Sequence, residues 1–250
     1  MTWLLDLDGV VWLAEEPIPG SAEAIEALRR THGQRVVFLT NNSSATLADY
    51  LAKLERCGIP TGPDDLITSA QAAATLVGPD ETALVCAGPG VGEALAARGV
   101  TTVRDGAADV VVVGWHRDFD YARLTAAFDA LHGGARLVGT NDDATYPTPD
   151  GPLPGGGAIL AAVAYASGAT PTIAGKPFAP MADLLQARVD DALVMVGDRP
   201  STDGRFAERV GVPFALVLSG VTRPDAPPSE PAPAQVAADL AALVAQVYGG

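Results

Sequence analysis

The chain has 250 residues, 48% of them hydrophobic, which is ample for a core and argues against disorder. Its 16 Lys and Arg stand against 30 Asp and Glu, and the net charge of −14 disfavours nucleic acid or an anionic membrane surface as a partner. The two cysteines, Cys57 and Cys86, make neither a metal spacing nor a disulfide framework, so they read as small buried hydrophobes in a reducing, cytoplasmic setting.

No basic region precedes the first apolar run, and Asp6 interrupts that run early, so no signal peptide is expected. No apolar stretch is long enough to span a bilayer. Trp3, Leu4 and Leu5 begin a buried strand, and Asp6 and Asp8 follow at an i, i+2 spacing that places both on one face. Gly9 lets the chain turn away. Residues 10–20 form a loop or small flap punctuated by Pro17 and Pro19, and Ser21 is the expected N-cap of a helix reaching about Arg30. A second strand over 35–39 ends in Thr40-Asn41-Asn42-Ser43-Ser44. A helix over 46–57 is stopped by Gly58, and Thr68-Ser69 caps a short helix over 70–77. This βαβα opening is the pattern of a parallel sheet.

Gly78-Pro79-Asp80 breaks the chain, and a second α/β pattern follows. Strands are expected over 83–86, 109–113 and 136–138, and helices over 91–97, 121–131 and 158–167, with a Pro- and Gly-rich loop over 142–157. The block reads as a separate layer with its own core. From Gly175 a helix over 181–189 leads to a strand over 193–196 that ends in Gly197-Asp198-Arg199-Pro200. A helix over 204–210 and a strand over 214–218 come next. Residues 222–234 are proline-rich and irregular, and Val236, Leu240, Leu243, Val244 and Val247 recur at the spacing of a final amphipathic helix. The expected organisation is a core of residues 1–78 and 175–250 with residues 79–174 inserted.

Polar clusters follow directly on apolar strands: Asp6 with Asp8, Thr40-Asn41-Asn42, Gly175-Lys176-Pro177, and Gly197-Asp198 with Asp203. If the outer segments form one parallel sheet, these clusters meet at its carboxyl edge, where ligands bind. Together they suit a divalent ion and a phosphoryl group. A carboxylate nucleophile splits phosphoryl transfer into two easier steps, and a second carboxyl protonates the leaving oxygen. Lys176 neutralises nucleophile and phosphate, the Thr40 hydroxyl holds a phosphoryl oxygen, and Asp198 ligates the metal with Asp203 behind it. All of these ligands are oxygens, which suits Mg2+. His32 and His132, near helix ends, read as dipole partners, and Trp3, Trp12 and Trp115 as packing groups.

The set resembles the haloacid dehalogenase (HAD) superfamily, most closely its NagD-like and 4-nitrophenylphosphatase-like phosphatases with an inserted α/β (C2-type) cap. The resembling motifs are Asp6-Leu7-Asp8-Gly9, Phe38-Leu39-Thr40-Asn41-Asn42-Ser43, Gly175-Lys176-Pro177, and Gly197-Asp198 through Thr202-Asp203, in family order. Val113-Gly114, Phe119-Asp120-Tyr121, Thr140-Asn141 and the 154–157 run resemble the cap. The resemblance implies a Rossmann-like core and a hydrolase with Asp6 as nucleophile and Asp8 as acid/base. It implies magnesium on Asp6, the Asp8 carbonyl and Asp198, and a phosphoryl group held by Thr40, Asn41, Asn42 and Lys176. It further implies a small phosphorylated metabolite as substrate, and it leaves room for a homodimer formed through the cap. Asp143 and Tyr146, in the cap loop, are the candidate substrate contacts. Three departures stand out: Asn141-Asp142-Asp143 where the subgroup often has proline in the middle, Arg199 where asparagine is common, and Trp115-His116-Arg117, which matches no pattern.

Two rival readings use similar residues: a phospho-acceptor signalling domain and a phosphate-ligand-binding protein without turnover. An inserted cap is superfluous to the first, and an acid at position 8 is superfluous to the second. That acid also argues against dehalogenation, which has no leaving oxygen to protonate.

Overall fold

The computed structural model describes residues 1–223, 225 and 230–249. The chain opens with β1 (Thr2–Asp6), a small hairpin of β2 (Trp12–Leu13) and β3 (Glu16–Pro17), α1 (Ser21–Glu26), β4 (Arg35–Thr40), α2 (Leu47–Arg56), β5 (Leu66–Thr68) and α3 (Ser69–Thr75). It continues through β6 (Thr82–Cys86), α4 (Pro89–Ala96), β7 (Thr101–Val103), β8 (Val110–Val113), α5 (Tyr121–His132) and β9 (Arg136–Gly139). A second small hairpin, β10 (Thr145–Tyr146) and β11 (Leu153–Pro154), precedes α6 (Gly156–Ser167) and β12 (Thr172–Ile173). The last elements are α7 (Ala179–Gln186), β13 (Ala192–Gly197), α8 (Arg205–Val210), β14 (Phe214–Val217), β15 (Gln235–Ala237) and α9 (Leu240–Tyr248).

Two parallel sheets result, as the alternation of strands and helices requires. The first has the order β15-β14-β13-β1-β4-β5, and the second the order β12-β9-β8-β6-β7. In the first sheet the chain runs outward from β1 on both sides, so the crevice beyond the end of β1 is a topological switch point. Strands buried on both faces read as continuous apolar runs. Leu4, Val37 and Leu39 face one cluster of buried side chains, while Trp3, Leu5, Val36 and Phe38 face the other. α3 packs against α4 and α7. Its N-terminus is fixed by a capping box in which Thr68 and Gln71 bond each other's main chain.

Four expectations from sequence are corrected. Residues 79–174 do not have a wholly separate core: Ala83, Val110, Val112 and Val138 share one buried cluster with Leu4, Val37 and Met195. Only the opposite face of the second sheet, with Leu84, Val111 and Val113, is packed by its own helices. Ser21 does not cap α1. Gly20 takes the cap position with φ 83°, and the Ser21 hydroxyl instead donates to the Val10 carbonyl at 2.9 Å, tying down the flap. Val236 lies in β15 and is 45% exposed, so the last helix begins only at Leu240, capped by Asp239. Lys176 does not follow a strand of the first sheet. It leaves β12, an edge strand of the second sheet, and enters the site on the way back to α7. Among the described residues no helix is long and apolar enough to cross a membrane.

Candidate active site

Asp6 closes β1, Thr40 closes β4, and Asp198 follows Gly197 at the end of β13, so three neighbouring strands deliver polar groups to one place. Lys176 arrives from the second sheet and is almost wholly buried. Its ammonium lies 3.0 Å from Asp6 Oδ1 and 2.6 Å from Asp203 Oδ1. Burial alone would lower the pKa of this lysine, yet the charges of Asp203 and Asp6 hold it above its ordinary value. The Leu7 N–H also donates to Asp6 Oδ1, at 2.8 Å.

Carboxylate oxygens of Asp6, Asp198 and Asp203 all lie within 4.8 Å of one another. Burial, opposed by Lys176 and reinforced by Asp203, Asp198 and Asp8, pushes the Asp6 carboxyl well above its usual range. Burial and the charge of Asp203 push Asp198 up to about 7, although the Val221 N–H donates to its Oδ2 at 2.5 Å. Asp203 spends its two oxygens on Lys176 and on the Arg199 N–H, the latter at 3.1 Å, and so braces the site from behind. Gly9 is required here: its φ is +85°, and any Cβ would collide with the Asp198 carboxylate.

Asp8 stands on the other side of the turn. Its Oδ1 accepts from Trp12 Nε1 at 3.1 Å and from the Tyr146 hydroxyl at 3.0 Å. Burial raises this carboxyl, against the pull of Lys53, Tyr146 and Trp12. The expected phosphoryl holders are nearby, with one change of part. The Asn41 side chain is committed to Asp143 Oδ2, the Lys176 carbonyl and the Lys176 N–H, at 2.9, 3.0 and 2.7 Å. Any contact from Asn41 to a phosphoryl group therefore has to come from its main chain. Thr40 Oγ1 accepts the Asn42 N–H at 3.1 Å and keeps its own hydrogen to donate. Asn42 Oδ1 receives the Ser44 N–H and hydroxyl, holding the turn.

The second sheet closes the site from above. Asn141 donates to the Asn41 carbonyl at 2.6 Å, and the Ser43 and Thr140 hydroxyls meet at 2.9 Å. Asp143 is raised by burial despite Arg199, whose Nη1 is 3.5 Å away and whose Nη2 donates to the Thr145 carbonyl at 3.2 Å. Trp115 stacks on Tyr146 with ring centroids 5.0 Å apart, and Arg117 lies over Trp115. His116 is buried and bonds the Gly114 carbonyl, away from the site. A cavity of about 60 Å³ is lined by Asp6, Asp8, Asp143, Asp198, Lys176 and Arg199, among others. Asp8, Asn42, Trp115 and Tyr146 also line a neighbouring cavity of about 440 Å³.

Sequence reading missed four contributors: Trp12 and Trp115, read as packing groups, the Val221 N–H, and the clamp made by Arg199. Each depends on a contact between distant segments or across a loop, and only Arg199 and Trp115, as departures from the family pattern, carried any signal.

The all-oxygen donor set and the four carboxylates facing the cavity against two cations fit a hard divalent cation. Comparison with known proteins agrees with this geometry. The family model for haloacid dehalogenase-like hydrolases matches residues 3–101, and a HAD-hydrolase-like model matches residues 173–243. The chain is 34% identical over 226 residues to an acid sugar phosphatase of Staphylococcus haemolyticus, covering 88% of this chain and 86% of that one. It is 35% identical over 250 residues to a D-glycerol 3-phosphate phosphatase of Mycobacterium tuberculosis, covering 96% and 70%. Crystal structures of the M. tuberculosis glycerol phosphate phosphatase in complex with magnesium and with calcium both superpose with a TM-score of 0.87 at 34% identity, over 97% of this chain and 75% and 74% of theirs. A p-nitrophenyl phosphatase from Archaeoglobus fulgidus gives 0.87 at 28% identity, over 98% of both chains. The chain belongs to the haloacid dehalogenase-like hydrolases. Within that family it is a phosphatase of phosphomonoesters.

Proposed function

We propose that the chain is a magnesium-dependent phosphatase of small phosphomonoesters that works through an aspartyl-phosphate on Asp6. The observation that carries this reading is the division of labour between two acids on one turn. Asp6 faces Lys176 and two further carboxylates, whereas Asp8 is held by neutral donors. Asp6 and Asp198, with the Asp8 carbonyl, would hold the cation, which supplies charge neutralisation to the nucleophile and the phosphoryl oxygens. An Asp6 oxygen forms the new bond to phosphorus as the bond to the leaving oxygen breaks. The electron pair goes to that oxygen, which takes the proton of Asp8. Water then attacks phosphorus, Asp8 takes its proton, and the bond to Asp6 breaks to release phosphate. Lys176 and the Thr40 hydroxyl steady the charge on the transferring group.

Residues 79–174 act in this reading as a cap. The small cavity beneath Asp143 and Tyr146 favours metabolites of the sugar phosphate, glycerol phosphate, phosphoglycolate or aryl phosphate type over phosphoproteins. A protein that merely bound phosphate would have no use for Asp8. Substitution tests the assignment. Asp6→Asn is expected to abolish turnover while leaving the fold intact. Asp8→Asn is expected to lose roughly 10²-fold or more on alkyl phosphates and much less on aryl phosphates, whose leaving groups need no proton. Equal losses on both substrate types would contradict the role given to Asp8.

A further inference from the structure

Tyr146 reaches the site from β10 and donates to Asp8 Oδ1, the same oxygen that accepts from Trp12. No protein donor among the described residues reaches Asp8 Oδ2. A neutral carboxyl has one carbonyl oxygen, which accepts two hydrogen bonds, and one hydroxyl oxygen, which must donate. A proton on Oδ1 would face two donors. A proton on Oδ2 leaves Oδ1 as a pure acceptor and satisfies all three groups. The same arrangement suits the ionised carboxylate, so the carboxyl plane need not turn between the two halves of the reaction.

Both donors are fixed before any substrate arrives. The Tyr146 ring stacks on Trp115, whose Nε1 donates to the Pro154 carbonyl at 3.0 Å, and Tyr146 pairs with Leu153 across the hairpin. Arg199 holds the preceding residue, Thr145, by its carbonyl. Trp12 is 1% exposed and carries the Lys53 ammonium 4.2 Å above its ring. Donors held in this way cost no reorganisation during the reaction.

We infer that Tyr146 is a positioning residue for Asp8: with Trp12 it pins Oδ1, so that Oδ2 delivers the proton to the leaving oxygen and takes one back from water. The inference rests on the phosphatase mechanism proposed above. Its consequence is that the inserted segment does more than select substrates. It completes the orientation of the acid, and Asp8 is aimed only while the β10–β11 hairpin is seated.

Tyr146→Phe keeps the ring, its stacking on Trp115 and the shape of the cavity, and deletes only the hydroxyl. The experiment measures kcat and KM with Mg2+ for wild type and Tyr146→Phe on a series of phosphomonoesters running from 4-nitrophenyl phosphate to simple alkyl phosphates. Loss of kcat/KM is expected to grow as the leaving alcohol becomes less acidic, reaching roughly 10- to 100-fold on alkyl esters and staying within about 3-fold on 4-nitrophenyl phosphate. The loss is expected in kcat, with inhibition by inorganic phosphate unchanged. Trp12→Phe, checked for folding by its melt, is expected to steepen the same dependence. A uniform loss across the series, or a loss in KM alone, would show that Tyr146 is a clasp or a substrate contact and overturn the inference while leaving the phosphatase reading intact. A wild-type protein that releases phosphate from no member of the series overturns both.

Discussion

Asp6 and Asp8 sit two residues apart and differ in chemistry because their neighbours differ. Asp6 faces an ammonium and two carboxylates, whereas Asp8 faces an indole and a phenol. The crowding around Asp6 makes a prediction about pH. Burial raises Asp6 well above the ordinary carboxylate range and brings Asp198 up to about 7 from 3.8. Between those values the folded protein holds protons that the unfolded chain has released. Stability from Asp198 is therefore fully present below the unfolded value and is lost as pH rises through about 7, by up to about 1.4 kcal/mol per pH unit, and the raised Asp6 carboxyl acts in the same direction. The Tm of the metal-free protein is expected to fall between about pH 5 and about pH 8, and added Mg2+ to restore most at the upper end, because a cation needs ionised ligands. A Tm independent of both pH and Mg2+ in this window would contradict the crowding. The acids, Thr40 and Lys176 were legible in the sequence because each follows an apolar run or sits in a short motif. Trp12 and Val221 were not, since an indole four residues along a flap and an N–H in a later loop meet the acids only after folding.

At the scale of elements, the two sheets are joined through the turn after β4. Gly90, in the first turn of α4, brings its N–H to the Ser44 carbonyl at 3.1 Å, and a Cβ there would collide with the Ala45 carbonyl oxygen. Gly90→Ala therefore forces apart α4 and the Asn41–Ala45 turn that carries Asn42. Overpacking of this kind costs about 1–3 kcal/mol, so a lower Tm is expected together with a reduced kcat/KM. An unchanged melt and unchanged kinetics would show that the two sheets are not packed this closely. The longer helices and the apolar strands of both sheets could be read from periodicity. The short strands β5, β7, β12 and β15 could not, because two or three residues carry no pattern of their own and are extended only by their neighbours. Val236 shows the difficulty: it continues the helical spacing of Leu240 and Leu243, yet pairing with Leu216 draws it into β15. Lys176 is a related case. Its motif was legible, but its route from an edge strand of the second sheet was not.

For the whole molecule, a net charge of −14 and an acidic cavity would repel a phosphate dianion unless a cation is bound between them. The catalytic claim therefore stands or falls with the metal. The most direct measurement is phosphate release from 4-nitrophenyl phosphate by wild type and Asp6→Asn, each with Mg2+, with Ca2+ alone, and with EDTA. Turnover is expected only for wild type with Mg2+. Calcium tolerates more ligands and bidentate carboxylates, so it is expected to bind both oxygens of Asp6 and inhibit. Undiminished phosphate release in EDTA, or by Asp6→Asn with Mg2+, would contradict a metal-dependent reaction at Asp6.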